Sequence, residues 1–291
     1  MKKRIGFVGL GRMGGPMAKN LVEEGFPVVG FDVSPECLER AVKAGAEAAS
    51  SLKDLASKAD VVYSMLPDSQ TVREVYCGEG GVLSTLKKGG VIIDGSTIDP
   101  SVSQEVAAIA RQKGVEMLDA PVSGSVMHAE GRQLIIMVGG EKKVMEDNMD
   151  IFQSVGSSVF HMGPNGHGLY MKLVTNHMFA IMMSGMAEGL AMGRKAGLDP
   201  QYMVDILKRG AVPKILEYKG GPMVQKNYVS TFPVDMMRKD LRLITAMGEE
   251  LKTPLPMANL ARQIFISASA AGFGDKDQGA IIEVYEKLQG L

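Results

Sequence analysis

The chain has no tryptophan, and aromatic residues make up 5% of its 291 positions. Surfaces that stack nucleobases need aromatic faces, so this scarcity argues against a nucleic-acid reader. Charge argues the same way. The 32 Lys and Arg residues against 33 Asp and Glu leave a net charge of −1, with no basic stripe for phosphate backbones or anionic membranes. Only two cysteines occur, Cys37 and Cys77. They form no CxxC pair and read as reduced thiols of an intracellular protein. The 4 histidines and the carboxylates show no metal-ligand spacing, so no metal is expected. Neither a G-x-S-x-G nucleophile turn nor a G-x-x-x-x-G-K phosphate loop is present. The longest uncharged apolar stretch, Leu173 to Ala187, is too short to cross a bilayer and contains Asn176 and His177. The chain opens directly on a strand pattern with no leader-like apolar region, so a cytoplasmic location is expected.

What is present begins at once. Arg4 to Val8 reads as a short buried strand running into Gly9-Leu10-Gly11-Arg12-Met13-Gly14, then a helix from Pro16 to Glu24. A second strand, Pro27 to Phe31, ends at Asp32. Strand, glycine turn, helix, strand and acid together form a dinucleotide-binding fingerprint. Gly9 permits the tight turn, Gly11 lets the backbone approach a pyrophosphate, and Gly14 lets the helix pack on the sheet. The helix N-terminus offers free N–H groups to the phosphates. Asp32 stands where a carboxylate accepts the ribose hydroxyls of NAD and repels the extra phosphate of NADP. No arginine occurs in Val33-Ser34-Pro35-Glu36, so NAD is favoured; Arg12, on the turn itself, leaves NADP open.

Farther along, strand patterns at Val61–Met65, Val91–Asp94, Glu116–Leu118, Leu134–Val138 and Ser158–His161 alternate with helical ones. The helices are predicted at Pro35–Ala44, Leu52–Ser57, Ser69–Tyr76, Ser101–Gln112 and Glu141–Val155. This is the pattern of a mostly parallel, doubly wound α/β sheet. The character changes at Met162-Gly163-Pro164-Asn165-Gly166, after which no strand is predicted. Gly168 to Lys195 reads as one long helix, rich in methionine for adaptable packing. Gly185, Gly189 and Gly193 recur every four residues and would admit another helix. Helices are also predicted at Pro200–Arg209, Met236–Leu251, Pro256–Ala271 and Gln278–Gln289. A Rossmann-type domain over 1–164 is therefore expected, then an all-helical domain over 165–291 that closes over the nucleotide domain and pairs with a second subunit.

Three segments could carry chemistry beyond the glycine turn. Asp94-Gly95-Ser96-Thr97-Ile98-Asp99-Pro100 succeeds a strand, at the sheet edge where ligands bind in such folds. The Ser96 and Thr97 hydroxyls there could face a nicotinamide, or the segment could simply cap a helix through Asp99. Asp119-Ala120-Pro121-Val122-Ser123-Gly124-Ser125 also succeeds a strand. Its Ser-Gly turn can cradle a small carboxylate or be a plain turn. The third is Gly166 to Asn176, in which Gly168, Lys172 and Asn176 are spaced by four and share a helix face. Gly168 would clear room beside the lysine. A lysine and an amide within so apolar a helix are costly unless partnered, and a desolvated amine suits proton transfer; snorkelling to water is the alternative. His167 and His177 lie off that face.

In this order the segments resemble the β-hydroxyacid dehydrogenase family, which includes 3-hydroxyisobutyrate dehydrogenases and tartronate semialdehyde reductases. The resemblance covers nearly the whole chain. It rests on Gly9 to Gly14 with Met17 to Leu21, Gly95-Ser96-Thr97, Asp119 to Gly124, Met137-Val138-Gly139-Gly140, Gly166 to Asn176, and Lys239-Asp240-Leu241. It implies an NAD-dependent enzyme interconverting a small 3-hydroxy acid and its semialdehyde. Lys172 would be the general acid/base, Ser123 and Gly124 would bind the substrate carboxylate, and Asn176 would position the substrate. Thr97 and Lys239 would contact the cofactor, with Met13, Leu66 and Pro67 along the nucleotide. A homodimer or homotetramer is implied. Related imine reductases and non-catalytic nucleotide-sensing relatives are the alternatives; both generally lack the lysine. Departures from the family pattern fall at Ser125 to His128, beside the carboxylate cradle, at Arg132, an extra cation of open orientation, and at Arg238; they bear on the substrate.

Overall fold

The computed structural model describes residues 2–210 and 213–291. It divides into two compact units, Met1–Lys172 and Leu173–Leu291.

In the first unit, strands β1 (Ile5–Val8), β2 (Val28–Phe31), β3 (Glu47–Ala48), β4 (Val61–Ser64), β5 (Val91–Asp94), β6 (Glu116–Asp119), β7 (Val122–Ser123), β8 (Leu134–Gly139) and β9 (Gly156–Gly163) build one sheet. Between them run α1 (Gly14–Glu23), α2 (Pro35–Lys43), α3 (Leu52–Lys58), α4 (Ser69–Cys77), α5 (Pro100–Gln112), α6 (Val126–Glu130), α7 (Lys142–Glu146) and α8 (Met149–Val155). The strand order β3-β2-β1-β4-β5-β6 is parallel throughout. It reverses direction of travel between β1 and β4, and that switch point is where nucleotides bind in doubly wound sheets. β8 is antiparallel to β6 and β7, and β9 lies parallel on its other side.

The central strands are short apolar runs because helices cover both sheet faces. Alternate residues feed separate cores: Ile5, Phe7, Val61, Tyr63 and Ile93 point to one, Val8, Val62 and Ile92 to the other. Ser34, Ser51, Asp68 and Asp99 each cap the helix after them by accepting a backbone N–H.

Helix α9 (His167–Lys195) leads into α10 (Pro200–Leu207), α11 (Pro213–Val224), α12 (Val234–Glu250), α13 (Pro256–Ala268) and α14 (Ile282–Leu288) of the second unit. Their apolar faces meet in a core of Leu173, Met183, Leu190, Leu216, Leu241 and Phe265 among others. Lys219 of α11 is buried and fully engaged. Its amine donates to both oxygens of Asp277 and to the Thr231 hydroxyl, each at 2.8 Å.

Several elements differ from the sequence expectation. The predicted helix 141–155 is two helices, broken at Asn148, whose amide folds back onto the Val144 carbonyl. The last predicted helix opens with a tight 3₁₀ turn over Gln278–Ile281. Helix α11 has no counterpart among the predicted helices; it carries Gly220, Gly221 and Pro222, all poor helix formers. Burial of Leu216 and Met223 overrides that weak local preference. Of the three spaced glycines on α9, Gly193 is filled from within the chain, for a Cβ there would lie 2.1 Å from the Met203 sulfur. Gly185 and Gly189 face no atom within 4 Å.

Candidate functional site

The three glycines of the first turn do three different things. Gly9 has φ +87°, and a Cβ on it would lie 2.3 Å from the Met65 carbonyl oxygen, so the turn folds tightly against the end of β4. At Gly14 a Cβ would come within 1.9 Å of the Gly9 carbonyl oxygen, so only glycine lets α1 start so close to the strand. At Gly11 it would meet nothing within 4 Å. The fold itself therefore does not require a glycine at position 11; the space suits a phosphate brought up to the backbone at a helix N-terminus. Leu10 is buried, Arg12 exposed and Met13 half-buried around this turn.

Asp32 closes β2 and steadies the same turn. Its carboxylate accepts the Leu10 N–H at 2.6 Å and the Ser34 N–H at 2.7 Å. A carboxylate has about four acceptor positions, so two lone-pair directions remain for ribose hydroxyls. This donor set fits a dinucleotide.

Leu66 and Pro67 come after β4, across the switch point. The Leu66 N–H donates to the Ser96 hydroxyl at 2.8 Å, and that hydroxyl donates in turn to Asp94 at 2.5 Å. Ser96 is therefore committed to joining two strand ends and does not offer its hydroxyl to a nicotinamide. Asp94 is buried, also receives the Ser64 hydroxyl, and has its carboxyl pushed up by that burial. Thr97 is half-buried, and Asp99 takes the cap of α5.

Ser123 ends β7, held by pairing with Ile135 of β8. Gly124 is exposed with φ +144°, and a Cβ there would lie 2.8 Å from a Leu134 methyl and 2.9 Å from the His128 Cβ. The Ser125 N–H donates to the His128 ring nitrogen Nδ1 at 3.2 Å, and the Ser125 hydroxyl lies 2.8 Å from the same nitrogen. This closes the first turn of α6. Arg132 is tied down elsewhere: its guanidinium pairs with Glu23 and Glu24 at the end of α1.

Lys172 is 8% exposed, which rules out the snorkelling alternative. Gly168 does not clear room beside it. A Cβ at Gly168 would instead strike the Met137 carbonyl oxygen at 2.3 Å and an Asp119 oxygen at 2.8 Å. Asp119, at the end of β6, accepts the Gly166 N–H at 2.7 Å and the Leu169 N–H at 3.1 Å. Burial pushes its carboxyl up to about 6 despite those bonds.

In the second unit Asn176 is 8% exposed, and its amide donates to Asp240 at 2.6 Å. Asp240 is buried, with the Lys239 amine 3.1 Å from its other oxygen. Sequence reasoning gives neither Asp119 nor Asp240 a role. Both stand within the family motifs, but a carboxylate's partner lies far off in the chain and leaves no local trace.

Comparison with known proteins identifies the family. Residues 4–163 match the family model described as the NAD binding domain of 6-phosphogluconate dehydrogenase. Residues 166–285 match the one described as NAD-binding of NADP-dependent 3-hydroxyisobutyrate dehydrogenase. The 2-(hydroxymethyl)glutarate dehydrogenase of Eubacterium barkeri is 37% identical over 99% of this chain and 96% of its own length. The NAD-dependent L-serine dehydrogenase of Pseudomonas aeruginosa is 35% identical over 99% of both. The structure of Mycobacterium tuberculosis 3-hydroxyisobutyrate dehydrogenase with L-serine superposes with a TM-score of 0.89 at 31% identity, covering 98% of this chain and 99% of that one. With a dinucleotide turn, a doubly wound sheet and a helical second unit matched along its length, the chain belongs to the β-hydroxyacid dehydrogenase family of nicotinamide-dependent oxidoreductases.

Proposed function

We propose that the protein interconverts a small 3-hydroxy acid and its semialdehyde with NAD, Lys172 serving as general acid/base. The burial of Lys172 near the start of α9 carries this reading. An amine held away from bulk water can take the hydroxyl proton in oxidation and return it in reduction without losing it to solvent. When bound, NAD accepts the hydride released from the carbinol carbon, and NADH gives it back. The Ser123 hydroxyl and the backbone N–H of Gly124 hold the substrate carboxylate. Asn176 orients the substrate. Thr97 and Lys239 contact the cofactor, Gly9 to Gly14 its phosphates, and Met13, Leu66 and Pro67 its flank. Asp32 selects NAD over NADP through the ribose hydroxyls.

Three relatives support a narrower class. Serine, 3-hydroxyisobutyrate and 2-(hydroxymethyl)glutarate all carry a primary alcohol on the carbon next to the one that bears the carboxylate. The substrate here is of that type, a 2-substituted 3-hydroxypropionate. We also infer a homodimer or homotetramer. Val174, Met178, Met182 and Met192 are exposed along α9 beside Gly185 and Gly189, a patch suited to a second helix. A cytoplasmic site accords with two unpaired thiols, Cys37 and Cys77.

The test is a spectrophotometric screen of NADH formation and consumption with 3-hydroxyisobutyrate, serine, glycerate, 3-hydroxypropionate and their aldehydes, repeated with NADP. Lys172→Ala should remain folded and lose turnover by at least about a hundredfold. A folded Lys172→Ala protein with normal turnover would overturn the assignment.

A further inference from the structure

Asp119 is a buried carboxylate in a setting made for it. It lies in a cage that side chains would fill: a Cβ at Gly139 would sit 2.6 and 2.7 Å from its two oxygens, and one at Gly168 would sit 2.8 Å from Oδ2. Within that cage each oxygen takes one backbone N–H, Oδ1 from Gly166 and Oδ2 from Leu169. Those two amides bracket the start of α9 at His167, and the first turn of a helix has no intrahelical partners for its N–H groups. Asp119 thus supplies the cap of the helix on which Lys172 stands. On the strand side it ends β6, and only Ala120 and Pro121 separate it from β7, which ends at Ser123.

We propose that Asp119 is a positioning residue for Lys172. Its carboxylate latches the first turn of α9 to the strand end that leads into the Ser123-Gly124 turn, and so fixes the amine relative to the carboxylate cradle. The proposal rests on the reading of Lys172 as the proton-transfer group. The geometry is selective. A longer acid does not fit between Gly139 and Gly168, and an amide in place of the carboxylate turns an NH₂ toward one of the two donors. Breaking the latch leaves the cofactor turn at β1 untouched while freeing the lysine's helix to shift. A displacement of about 1 Å costs on the order of a hundredfold in rate. The charged group facing Asp119 is Asp94 on the neighbouring strand; α9 carries His167 between the two latched amides and Lys172 three residues past Leu169, and β8 has no ionisable residue.

The experiment compares wild type with Asp119→Asn and Lys172→Arg. Amide hydrogen exchange is monitored at Gly166 and Leu169. Titration of the Lys172 amine is monitored by its ¹³Cε shift, assigned by its loss in Lys172→Arg. NADH binding is measured by fluorescence, and kcat and KM with L-serine and 3-hydroxyisobutyrate. Asp119→Asn should bind NADH as wild type does and exchange faster at both amides. Its Lys172 titration should be displaced, and kcat should be lower by roughly tenfold to a hundredfold with the KM for NAD unchanged. Unchanged exchange, or faster exchange with the Lys172 titration as in wild type, overturns the latch. If Asp119→Asn does not fold, the wild-type protein decides. Corrected protection at Gly166 and Leu169 and the Lys172 shift should change together as Asp119 is protonated near pH 6, and their independence overturns the proposal. Full turnover in Lys172→Ala would remove the lysine's chemical role but leave the exchange result standing, so the two failures are distinguishable.

Discussion

Alanine at Gly11 and alanine at Gly14 add the same methyl group three residues apart, and the structure gives them opposite consequences. At Gly14 the new Cβ would lie 1.9 Å from the Gly9 carbonyl oxygen and 3.0 Å from a Phe7 ring carbon, where ordinary contact begins near 3.4 Å. The start of α1 must retreat from β1 by roughly 1.5 Å, a displacement of the overpacking kind that costs about 1–3 kcal/mol. At about 2–4 °C per kcal/mol for a chain of this size, the melting temperature should fall by several degrees. At Gly11 the methyl meets nothing within 4 Å and the backbone is not left-handed. The folded protein should be unharmed, or stabilised by about 0.4–1 kcal/mol through a stiffer unfolded chain. The methyl does occupy the ground a pyrophosphate would take, so NADH affinity should drop tenfold or more, about 1.4 kcal/mol. Thermal denaturation and fluorescence titration with NADH separate the two variants. A Gly11→Ala protein that binds NADH as tightly as wild type would refute the reasoning, as would a Gly14→Ala protein with unchanged melting temperature.

Particular contacts lead to other expected outcomes. Asp32→Asn should narrow the ratio of kcat/KM between NAD and NADP by about tenfold or more; an unchanged ratio would show that selectivity lies elsewhere. Lys219→Met strands the Asp277 carboxylate in the core of the second unit and should cost about 3–5 kcal/mol in chemical denaturation; a loss below about 1 kcal/mol would mean water replaces the amine. Asp119, with a carboxyl at about 6 against an ordinary 3.8, keeps a proton in the folded protein that the unfolded chain releases between those values. Its contribution to stability is therefore full below pH 3.8 and is lost as pH rises through 6. The stability difference between wild type and Asp119→Asn should vary over that window and level off on either side. Met182→Lys should leave the fold intact and shift sedimentation toward the monomer; an unmoved assembly would place the interface elsewhere.

Much of the first unit is legible directly, because a parallel strand covered on both faces announces itself as a short apolar run, and the β1 run ends in a glycine-rich turn. Asp99 and the other caps act on neighbours in the chain, and Asp32 stands at a set spacing from the glycine turn, so pattern exposes them. Legibility thins where distant partners decide. Helix α11 depends on a core that accepts Leu216 and on Asp277, which takes the Lys219 amine, neither visible from Gly220-Gly221-Pro222. The two-residue strand β7 exists because β8 is there to pair with it. Ser96 resembles a ligand-facing hydroxyl in sequence because its partners, Leu66 and Asp94, come from two different strand ends. Arg132 reads as an extra cation whose direction is open, and Glu23 and Glu24 claim it from far earlier in the chain.

The bond between Asn176 and Asp240 settles a question of polarity. An amide carries a donor end and an acceptor end, and rotation by half a turn exchanges them. An ionised carboxylate only accepts, so Asp240 fixes the Asn176 nitrogen toward itself at 2.6 Å. That bond uses one of the two amide N–H groups and turns the carbonyl oxygen the other way, and an oxygen answers only to a donor. An alcohol has a proton to offer it and an aldehyde has none. Were a substrate hydroxyl seated against that oxygen, oxidation to the aldehyde would remove the bond, and the position would sense the oxidation state of one carbon.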